Sequence, residues 1–325
     1  MVDSLVLWLG AIFMPAANKQ KISVLAGGVG ASKLLLGLYE VMDPAKLTII
    51  VNTGDDLVLH GLKISPDLDI VTYTLAGIVD PIKGWGFRGE TFHALKRLAA
   101  YGRPDWFNLG DRDLATHIHR SALIEEGRTL SEVAEAIRVA LGVKARILPM
   151  SNEPVPTIIE TNEGAMHFQK YLVKRRAEPI VEGIRFAGAE AARPAPGVLE
   201  AIREASRIII CPSNPLISIG PILEVPGVRE ELRARKQDVL AVCPIVGGKS
   251  LKGPSDKMLA QLGYEATAQG VAKLYADFSG TFVIDTADKG HAGAISALGM
   301  KVAVVPTVMK TLEQKRKLAR GLLIL

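Results

Sequence analysis

The chain has 325 residues, of which 48% are hydrophobic and 22% are charged, and its formal net charge is +5. This balance is typical of a globular protein and excludes a disordered or fibrous chain, and the length allows one large core or two moderate ones at about 150 residues per domain. The basic residues are spread along the chain, which argues against a nucleic-acid-binding tail and leaves an anionic substrate open.

The N-terminus and the cysteines indicate the cellular compartment of the protein. The apolar stretch Leu5–Phe13 is too short to span a bilayer, and it lacks the basic flank of a secretory signal. We therefore interpret residues 1–18 as a disordered extension or one created by an upstream start codon. Cys211 and Cys243 lie far apart, each before a proline, so they form no metal or redox motif and are expected to end buried strands. With no other candidate membrane segment, the expected location is the cytoplasm and no membrane partner is expected.

Apolar runs in the first part of the chain alternate between strand and helix patterns. A strand at Lys21–Gly27, a helix at Ala31–Met42 and a strand at Leu47–Thr53 predict a right-handed βαβ unit of a parallel sheet. Further helices are predicted at Glu90–Tyr101, Asp113–Glu126 and Leu130–Leu141. The last of them follows a capping-box pattern, Thr129 with Glu132.

The pattern changes between Lys144 and Phe186, where four runs read as strands separated by turn residues: "ARILPM", "PTIIET", "MHFQKYLV" and "VEGIRF". The α/β alternation then returns with a helix at Gly197–Ala205 and four strands, "RIIIC", "DVLAVC", "GTFVID" and "KVAVVP". We predict an α/β fold, a doubly wound, mostly parallel Rossmann-like sheet with an inserted smaller, partly antiparallel subdomain. The predicted core covers 19–143 and 190–325, and the β-rich insertion covers 144–189.

A glycine-rich loop follows the first strand, at the sheet edge where open parallel sheets bind ligands. Glycines let the backbone approach a phosphate, and the following helix offers free N–H groups there. The third glycine of a dinucleotide motif would fall at Lys33, and the order Ser32-Lys33 reverses that of a P-loop. The loop therefore predicts a phosphate or diphosphate site of another kind, and a tight turn that needs glycine only for packing stays open.

An acidic segment follows the second strand, from Asn52 to Asp69. Carboxylates at a strand end suit Mg²⁺, which takes one or two of them and completes its shell with water and substrate phosphates. For any single carboxylate, turn formation or helix capping is the alternative. The four candidates are Asp55, Asp56, Asp67 and Asp69.

The stretch "LGDRDLATH" and the neighbouring Arg88 offer further candidates. Arg88 and Arg112 could each donate two hydrogen bonds to a phosphate or carboxylate. A solvated helix start explains "GDRD" almost as well. His117 and His119 are two residues apart and do not share a helical face, so a zinc pair is not expected.

Two later strand-end loops are also polar. Ser213, Asn214 and Ser218 in "PSNPLISIGPIL" suit a nucleobase or phosphate pocket, or a loop built of turn formers. Lys249 and Lys252, in a glycine-rich stretch after "DVLAVC", make another candidate anion site. The sequence has no Gly-x-Ser-x-Gly elbow, so covalent nucleophilic catalysis is not indicated.

Taken in chain order, these segments resemble the 2-phospho-L-lactate transferase family of coenzyme F420 biosynthesis, including its bacterial phosphoenolpyruvate-using branch. The resemblance spans about Ile22 to Lys252, and the chain beyond it matches more loosely. The matching stretches are "LAGGVGASKLLLGL", "VNTGDDLVLHGLKISPDLD", "DPIKGWGFRGETFHAL", "LGDRDLATHIHR", "ILPMSNEPV", "MHFQKYLV" and "PSNPLISIGPIL".

The resemblance implies a Mg²⁺-dependent transfer without a covalent enzyme intermediate. The donor would be a guanosine diphosphate derivative that carries 2-phospholactate, phosphoenolpyruvate or phosphoglycerate, and the sequence leaves open which of the three. The acceptor would be the terminal ribityl hydroxyl of the deazaflavin Fo, GMP would leave, and the protein would be a homodimer. Such chemistry needs positioning and charge neutralisation more than a strong nucleophile.

The resemblance also implies roles for individual residues. The metal ligands would be Asp55, Asp56 and Asp67, and the catalytic group would be Asp67, Asp69 and Arg112, with one Asp as general base near the Fo hydroxyl. The donor diphosphate would lie on Gly28 and Gly30, and the guanosine on Ser213 and Asn214. The remaining residues of the predicted binding set are Lys33, Arg88, Asp111 and Lys249.

Two other functions stay open at this stage. A nicotinamide-dependent oxidoreductase would use the same kind of glycine loop, but Lys33 in place of the third glycine argues against it. A non-catalytic nucleotide-binding regulator would not need so many polar strand-end loops.

Overall fold

The computed structural model describes residues 20–325, so the predicted extension at 1–18 lies outside the described residues. The first part of the chain forms, in order, β1 (Ile22–Ala26), α1 (Gly28–Val41), β2 (Leu47–Val51), β3 (Leu57–Leu59), β4 (Leu62–Ile64), α2 (Pro66–Leu75), α3 (His93–Ala100), α4 (Asp111–Glu125) and α5 (Leu130–Ala140). The middle part forms β5 (Arg146–Pro149), β6 (Thr157–Thr161), β7 (Met166–His167), β8 (Val181–Phe186), α6 (Val198–Glu204), β9 (Arg207–Ile210), α7 (Gly220–Glu224) and α8 (Val228–Ala234). The last part forms β10 (Val239–Val242), β11 (Ile245–Val246), β12 (Lys249–Ser250), α9 (Ser255–Gln261), α10 (Ala268–Tyr275), β13 (Thr281–Ile284), α11 (Ala292–Ser296), β14 (Lys301–Val304) and α12 (Leu312–Ile324).

The centre of the fold is a seven-stranded sheet in the order β14-β13-β10-β9-β1-β2-β5. Every neighbouring pair in it is parallel, which confirms the predicted doubly wound α/β fold. The chain winds outward from β1 in one direction and from β9 in the other, so the strand order reverses between these two strands. A crevice forms at such a point, beyond the carboxyl ends of the strands, and it is where open α/β sheets bind ligands.

Both faces of the sheet are buried. On β1 and β2, Leu25 and Ile50 pack into one apolar cluster, and Val24 and Ile49 pack into a second one on the opposite face. Strands covered on both faces read as continuous apolar runs, which is why they were recognisable in the sequence. The cysteines Cys211 and Cys243 follow β9 and β10 and are buried free thiols, as predicted.

The predicted insertion contains a three-stranded antiparallel sheet, β7-β6-β8, with an apolar cluster of its own. The prediction that "ARILPM" belongs to this insertion is wrong, because β5 pairs in parallel with β2 at the edge of the central sheet. Its run Ile147–Met150 is buried, as are most residues of β1, β2, β9, β10 and β13. The strand predicted at "MHFQKYLV" stops after His167, and a π-helical turn at Lys170–Lys174 follows it. The division of the chain into a core and an insertion stays a prediction.

The acidic segment is more ordered than the loop predicted from the sequence. β3 and β4 form a hairpin that turns through His60 and Gly61, both with positive φ, and α2 begins directly afterwards at Pro66. Proline is favoured at the first position of a helix. Asp67 and Asp69 lie in the first turn of α2, where the helix dipole favours carboxylates.

Within residues 20–325, no helix combines the length and the apolar character needed to cross a bilayer.

Candidate active site

A cavity of about 630 Å³ opens at the carboxyl ends of β1, β2, β9 and β10. It brings together eight of the residues predicted for the site: Gly28, Gly30, Lys33, Asp55, Asp67, Asp69, Ser213 and Asn214. Five others lie outside its lining: Asp56, Arg88, Asp111, Arg112 and Lys249. The cavity therefore joins the first glycine loop, the acidic segment and the loop after β9 in one site.

The glycine loop lies directly against the carboxylates. A Cβ atom on Gly27 would lie 2.8 Å from Asp67 Oδ2, and one on Gly30 would lie 2.6 Å from the backbone oxygen of Pro212. Gly28 has a φ of 71°, a conformation that L side chains rarely adopt. Glycine is therefore needed for packing in this loop, which is the alternative that the sequence left open. The absence of side chains lets the start of α1 lie beside Asp67.

Asp55 and Asp67 form a pair of buried carboxylates held by neutral amides. Asn52 Nδ2 donates to Asp67 Oδ2 at 2.9 Å and to Asp55 Oδ1 at 3.3 Å, and Gln169 Nε2 donates to Asp55 Oδ2 at 3.3 Å. Burial raises the pKa of Asp67 to about 6, against the hydrogen bonds from Asn52 and from the Gly28 N–H. Burial and the neighbouring Asp67 raise the pKa of Asp55 well above its ordinary value.

This pair fits a divalent cation. No ion pair within residues 20–325 involves either carboxylate, so two acidic groups share a buried place without a positive charge. Hard cations such as Mg²⁺ take carboxylate and carbonyl oxygens, and a bound cation would favour the ionised forms that burial disfavours. Asp55 and Asp67 are the residues of the predicted metal set that line the cavity.

Asp56, the third predicted metal ligand, points elsewhere. Its Oδ2 accepts a hydrogen bond of 2.7 Å from the Ser65 hydroxyl, while Oδ1 is buried without a partner within the described part of the chain. The Asp56 carbonyl accepts a bond of 3.0 Å from His167 Nε2, and His167 Nδ1 accepts one of 3.2 Å from the Gln169 N–H. His167 and Gln169, from the antiparallel sheet and the segment after it, therefore brace the segment that carries Asp55 and Asp56.

Asp69 belongs to a second buried group. Arg120, which is 2% exposed, contacts both Asp69 oxygens, with Nη1 at 3.1 Å from Oδ2. On the next turns of α4, His117 Nε2 lies 3.3 Å from Asp113 Oδ2, and the Tyr73 hydroxyl donates to Asp113 Oδ1 at 2.7 Å. Burial and the nearby Asp69 raise the pKa of Tyr73, so its hydroxyl stays protonated and remains a donor.

One ligand atom from each of Asp69, Asp113 and His117 lies within 4.8 Å of the others, the spacing of a metal site. Two contacts argue against a metal there. The Arg120 guanidinium already neutralises Asp69, and its Nη1 lies 3.2 Å from His117 Nδ1. A metal-binding histidine instead donates its second ring nitrogen to an acceptor. His117 is buried and His119 is exposed, so the two side chains lie on different faces of α4.

Lysines line the cavity in addition to the carboxylates: Lys33, Lys252 and Lys310. Burial lowers the pKa of Lys33, as do the charges of Lys252 and Lys315. Several ammonium groups that repel one another in a partly closed cavity suit a ligand with more than one negative charge. Lys249, predicted as the phosphate contact of this region, is exposed on the β11–β12 hairpin.

Asp111, Arg112 and Arg88 make contacts within the local structure. Asp111 accepts from the Thr91 hydroxyl at 2.6 Å and from the N–H groups of His93 and Ala94 at 2.9 Å, and these bonds lower its pKa to about 2. Arg112 Nη1 donates to the Arg88 carbonyl at 2.8 Å. These contacts fasten the segment before α3 to the start of α4, and the predicted ligand contacts of the three residues stay predictions.

Ser213 and Asn214 line the cavity but use their side chains within their own surroundings. The Ser213 hydroxyl donates to the Gly27 carbonyl at 2.8 Å, and Asn214 Oδ1 accepts from the Leu216 N–H at 2.9 Å. The first bond ties the loop after β9 to the glycine loop across the crevice. The predicted contact of these residues with guanosine stays a prediction.

Four residues of the site were not predicted from the sequence: Asn52, Arg120, Gln169 and Lys310. Asn52 had a readable signal, since it is the first polar residue after β2. The pairing of Arg120 with Asp69 spans 51 residues, and no local pattern indicates it. Tyr73, Trp85 and Phe107 also line the cavity, and aromatic residues in a single sequence more often indicate core than ligand contact.

A parallel sheet whose cavity joins a glycine loop, buried carboxylates and lysines defines an α/β protein with a site for an anionic ligand. The model of the family described as 2-phospho-L-lactate transferase CofD matches residues 22–308. The chain belongs to this family.

The relatives agree with this assignment over most of their length. The chain is 44% identical over 312 residues to a phosphoenolpyruvate transferase of Kitasatospora aureofaciens, covering 94% of this chain and 97% of that protein. It is 42% identical over 296 residues to a 2-phospho-L-lactate transferase of Methanosarcina mazei, covering 91% and 97%. A crystal structure of a UPF0052-family protein from Bacillus halodurans shares the fold, with a TM-score of 0.64 at 18% identity over 95% of this chain and 100% of that one.

Proposed function

We propose that this protein transfers a phosphorylated three-carbon acid from a guanosine diphosphate-linked donor to the ribityl hydroxyl of the deazaflavin Fo. GMP is the leaving group, and the reaction belongs to coenzyme F420 biosynthesis. The observation that carries the proposal is the single cavity in which the glycine loop, the lysines and the Asp55–Asp67 pair meet. Support also comes from relatives named phosphoenolpyruvate transferase and 2-phospho-L-lactate transferase.

The proposed cofactor is Mg²⁺, held by Asp55 and Asp67. Such an ion supplies charge neutralisation on the donor diphosphate. The chain's own residues orient the reactants. The first turn of α1, which begins at Gly28, directs the positive end of the helix dipole to a phosphate, and Lys33 with Lys252 and Lys310 neutralises further negative charge.

The proposed reaction balances without a covalent enzyme intermediate. The Fo hydroxyl oxygen forms a bond to the phosphorus next to the three-carbon acid, and the bond from that phosphorus to the GMP oxygen breaks. The hydroxyl proton passes to a carboxylate of the acidic group, for which Asp67 and Asp69 are the candidates that line the cavity. Positioning and charge stabilisation then supply most of the rate enhancement.

The direct test incubates the full chain with Fo, Mg²⁺ and each guanosine diphosphate-linked acid in turn, with mass spectrometry of the products. We expect GMP and an Fo phosphodiester in equal amounts with one of the donors, and no product in excess EDTA. Tight NAD(P)H binding without affinity for GDP or Fo would favour the oxidoreductase. Binding of GDP without turnover of any donor would favour the regulator.

A second prediction concerns the lysines. Lys33→Met should raise the KM for the donor about tenfold or more, because a hydrogen bond to a charged group contributes about 1.5–3 kcal/mol, while the KM for Fo should change little. Steady-state kinetics with each substrate varied in turn measures both constants. Lys301→Met, at an exposed lysine on β14, is the matched control. An unchanged donor KM in the Lys33 variant would remove this residue from the phosphate site.

A further inference from the structure

The hydrogen bonding around His117 determines which of its ring nitrogens carries the proton. Arg120 Nη1 lies 3.2 Å from His117 Nδ1 in a hydrogen-bonding arrangement. A guanidinium has donors and no acceptor, so Nδ1 must be the acceptor and carries no proton. A neutral imidazole has its single proton on the other nitrogen, which places it on Nε2.

The charge beside Nδ1 also favours the tautomer that has no proton on this nitrogen. An N–H at Nδ1 would face the Arg120 guanidinium, a permanent positive charge. His117 is 1% exposed and Arg120 is 2% exposed, so little solvent screens the repulsion between them. The carboxylates near the ring belong to Asp69 and Asp113, and Arg120 neutralises Asp69.

Asp113 lies beside the Nε2 edge of the His117 ring. Nε2 lies 3.3 Å from Asp113 Oδ2 and has no hydrogen-bond partner of standard geometry within residues 20–325. On the other side, the Tyr73 hydroxyl donates to Asp113 Oδ1 at 2.7 Å. Asp113 therefore has a donor beside each oxygen, and a carboxylate has about four acceptor sites, so capacity remains for a ligand.

Asp113 is a further carboxylate in the lining of the cavity. Its side chain is 14% exposed, and it lines the cavity together with Tyr73, Trp85 and Phe107. Trp85 and Asp113 also share a smaller adjoining pocket, which shows that the two residues are neighbours. A carboxylate beside aromatic side chains can accept a hydrogen bond from the edge of a flat ring that packs on them.

We propose that Arg120 fixes His117 as the Nε2–H tautomer, whose N–H lies beside Asp113, and that Asp113, which also accepts the Tyr73 hydroxyl, accepts an N–H or O–H group of the acceptor substrate. Asp113 is then a binding residue, and Arg120 and His117 are positioning residues that act through it. The identity of the acceptor as Fo rests on the proposed function, whereas the tautomer does not.

The tautomer is tested on the ligand-free wild-type protein. Long-range ¹H–¹⁵N correlation spectra of ¹⁵N-histidine-labelled protein report the protonation of both ring nitrogens, and His117→Gln assigns its signals among the six histidines. We expect an unprotonated Nδ1 and a protonated Nε2 at neutral pH. A protonated Nδ1, or exchange between the two forms, would overturn the proposal.

The binding role is tested by titrating Fo, followed by its fluorescence, and GDP, followed by calorimetry. Asp113→Asn should weaken Fo binding at least tenfold and leave GDP binding within twofold. His117→Gln, whose amide can still donate, should keep most of the Fo affinity that His117→Leu loses. His119→Gln, on the exposed face of the same helix, should match the wild type.

Equal Fo affinity in Asp113→Asn and wild type, or a loss confined to GDP, would overturn the role of Asp113. A wild-type protein that binds GDP but not Fo would overturn the proposed function and this acceptor role together. The NMR result would still decide the tautomer in that case.

Discussion

Asp67→Asn should lower the rate of transfer at least a thousandfold and raise the melting temperature of the metal-free protein at neutral pH. The first effect follows because the variant removes one of the two carboxylates proposed to hold Mg²⁺, and a thousandfold loss corresponds to about 4 kcal/mol of transition-state stabilisation. The second follows because the amide keeps the volume of the side chain and removes a charge that is costly to bury.

The pH dependence of stability shows whether the ionised Asp67 stabilises or destabilises the folded protein. The pKa of Asp67 is about 6 in the folded protein, raised by burial from an ordinary value of 3.8. The folded state thus binds the proton more tightly than the unfolded state, and the protein loses stability as the pH rises from about 4 to about 6. The loss is on the order of 3 kcal/mol for one group at neutral pH, and the variant should lack it.

Asp285→Asn is the matched control, since Asp285 is similarly buried but is hydrogen bonded differently. Burial alone would raise its pKa, but bonds from the N–H groups of Ala287 and Thr307 outweigh that effect, and its pKa is lowered. The same substitution should therefore destabilise the protein at neutral pH. Thermal melts of both variants between pH 4 and pH 8, with and without Mg²⁺, make the comparison.

The Mg²⁺ arm separates the two effects of Asp67→Asn. Mg²⁺ should raise the melting temperature of the wild type and of Asp285→Asn, because a ligand that binds only the folded state stabilises it, and it should not raise that of Asp67→Asn. Unchanged turnover in Asp67→Asn would exclude this residue from the site. An unchanged response to Mg²⁺ would place the metal elsewhere.

Arg120→Met should produce the largest loss of stability of any single change near the site. Removing one partner of a buried ion pair typically costs about 3–5 kcal/mol, because the other charge stays buried without compensation. The guanidinium is 2% exposed, and besides Asp69 it contacts His117 and the Lys63 carbonyl. Urea unfolding followed by circular dichroism measures the change.

A double variant shows whether the uncompensated charge of Asp69 causes the loss of stability. Arg120→Met combined with Asp69→Asn should recover at least half of the loss, since the second change removes the uncompensated carboxylate. Arg203→Met, which breaks an exposed pair with Glu231, should cost no more than about 1 kcal/mol. If the double variant is as unstable as Arg120→Met, lost packing of the long side chain and not charge explains the effect.

The central sheet was predictable because its strands have a simple sequence pattern. A strand buried on both faces must be an apolar run, and β1, β2, β9, β10 and β13 were recognised on that basis, as was the more exposed edge strand β14. β5 has the same pattern, but its position beside other short strands led to its assignment to the insertion. Pairing partners are set by the fold as a whole, and a strand's own residues do not reveal them.

The site was predictable where residues of one segment act together and not where distant segments meet. The glycine loop and the acidic segment were each recognised from a pattern within one stretch of sequence, and the structure places them side by side in the cavity. The helix that carries Asp67 and Asp69 was missed, because β-branched residues such as Val71 and Thr72 lower helix propensity and tertiary packing overrides that preference. The roles of Arg120 and Gln169 depend on contacts across the fold.

The hydrogen bonds from His167 and Gln169 to the segment of Asp55 and Asp56 couple the stability of the antiparallel sheet to the position of the carboxylates. Because the antiparallel sheet with its following segment and the carboxylates share hydrogen bonds, any opening of that sheet also loosens Asp55. For the ligand proposed to bind at the carboxylates, the free energy of binding then depends in part on the stability of this sheet. Substitutions in the apolar cluster around Ile159 and Phe168 would tune affinity from a distance without touching the ligand.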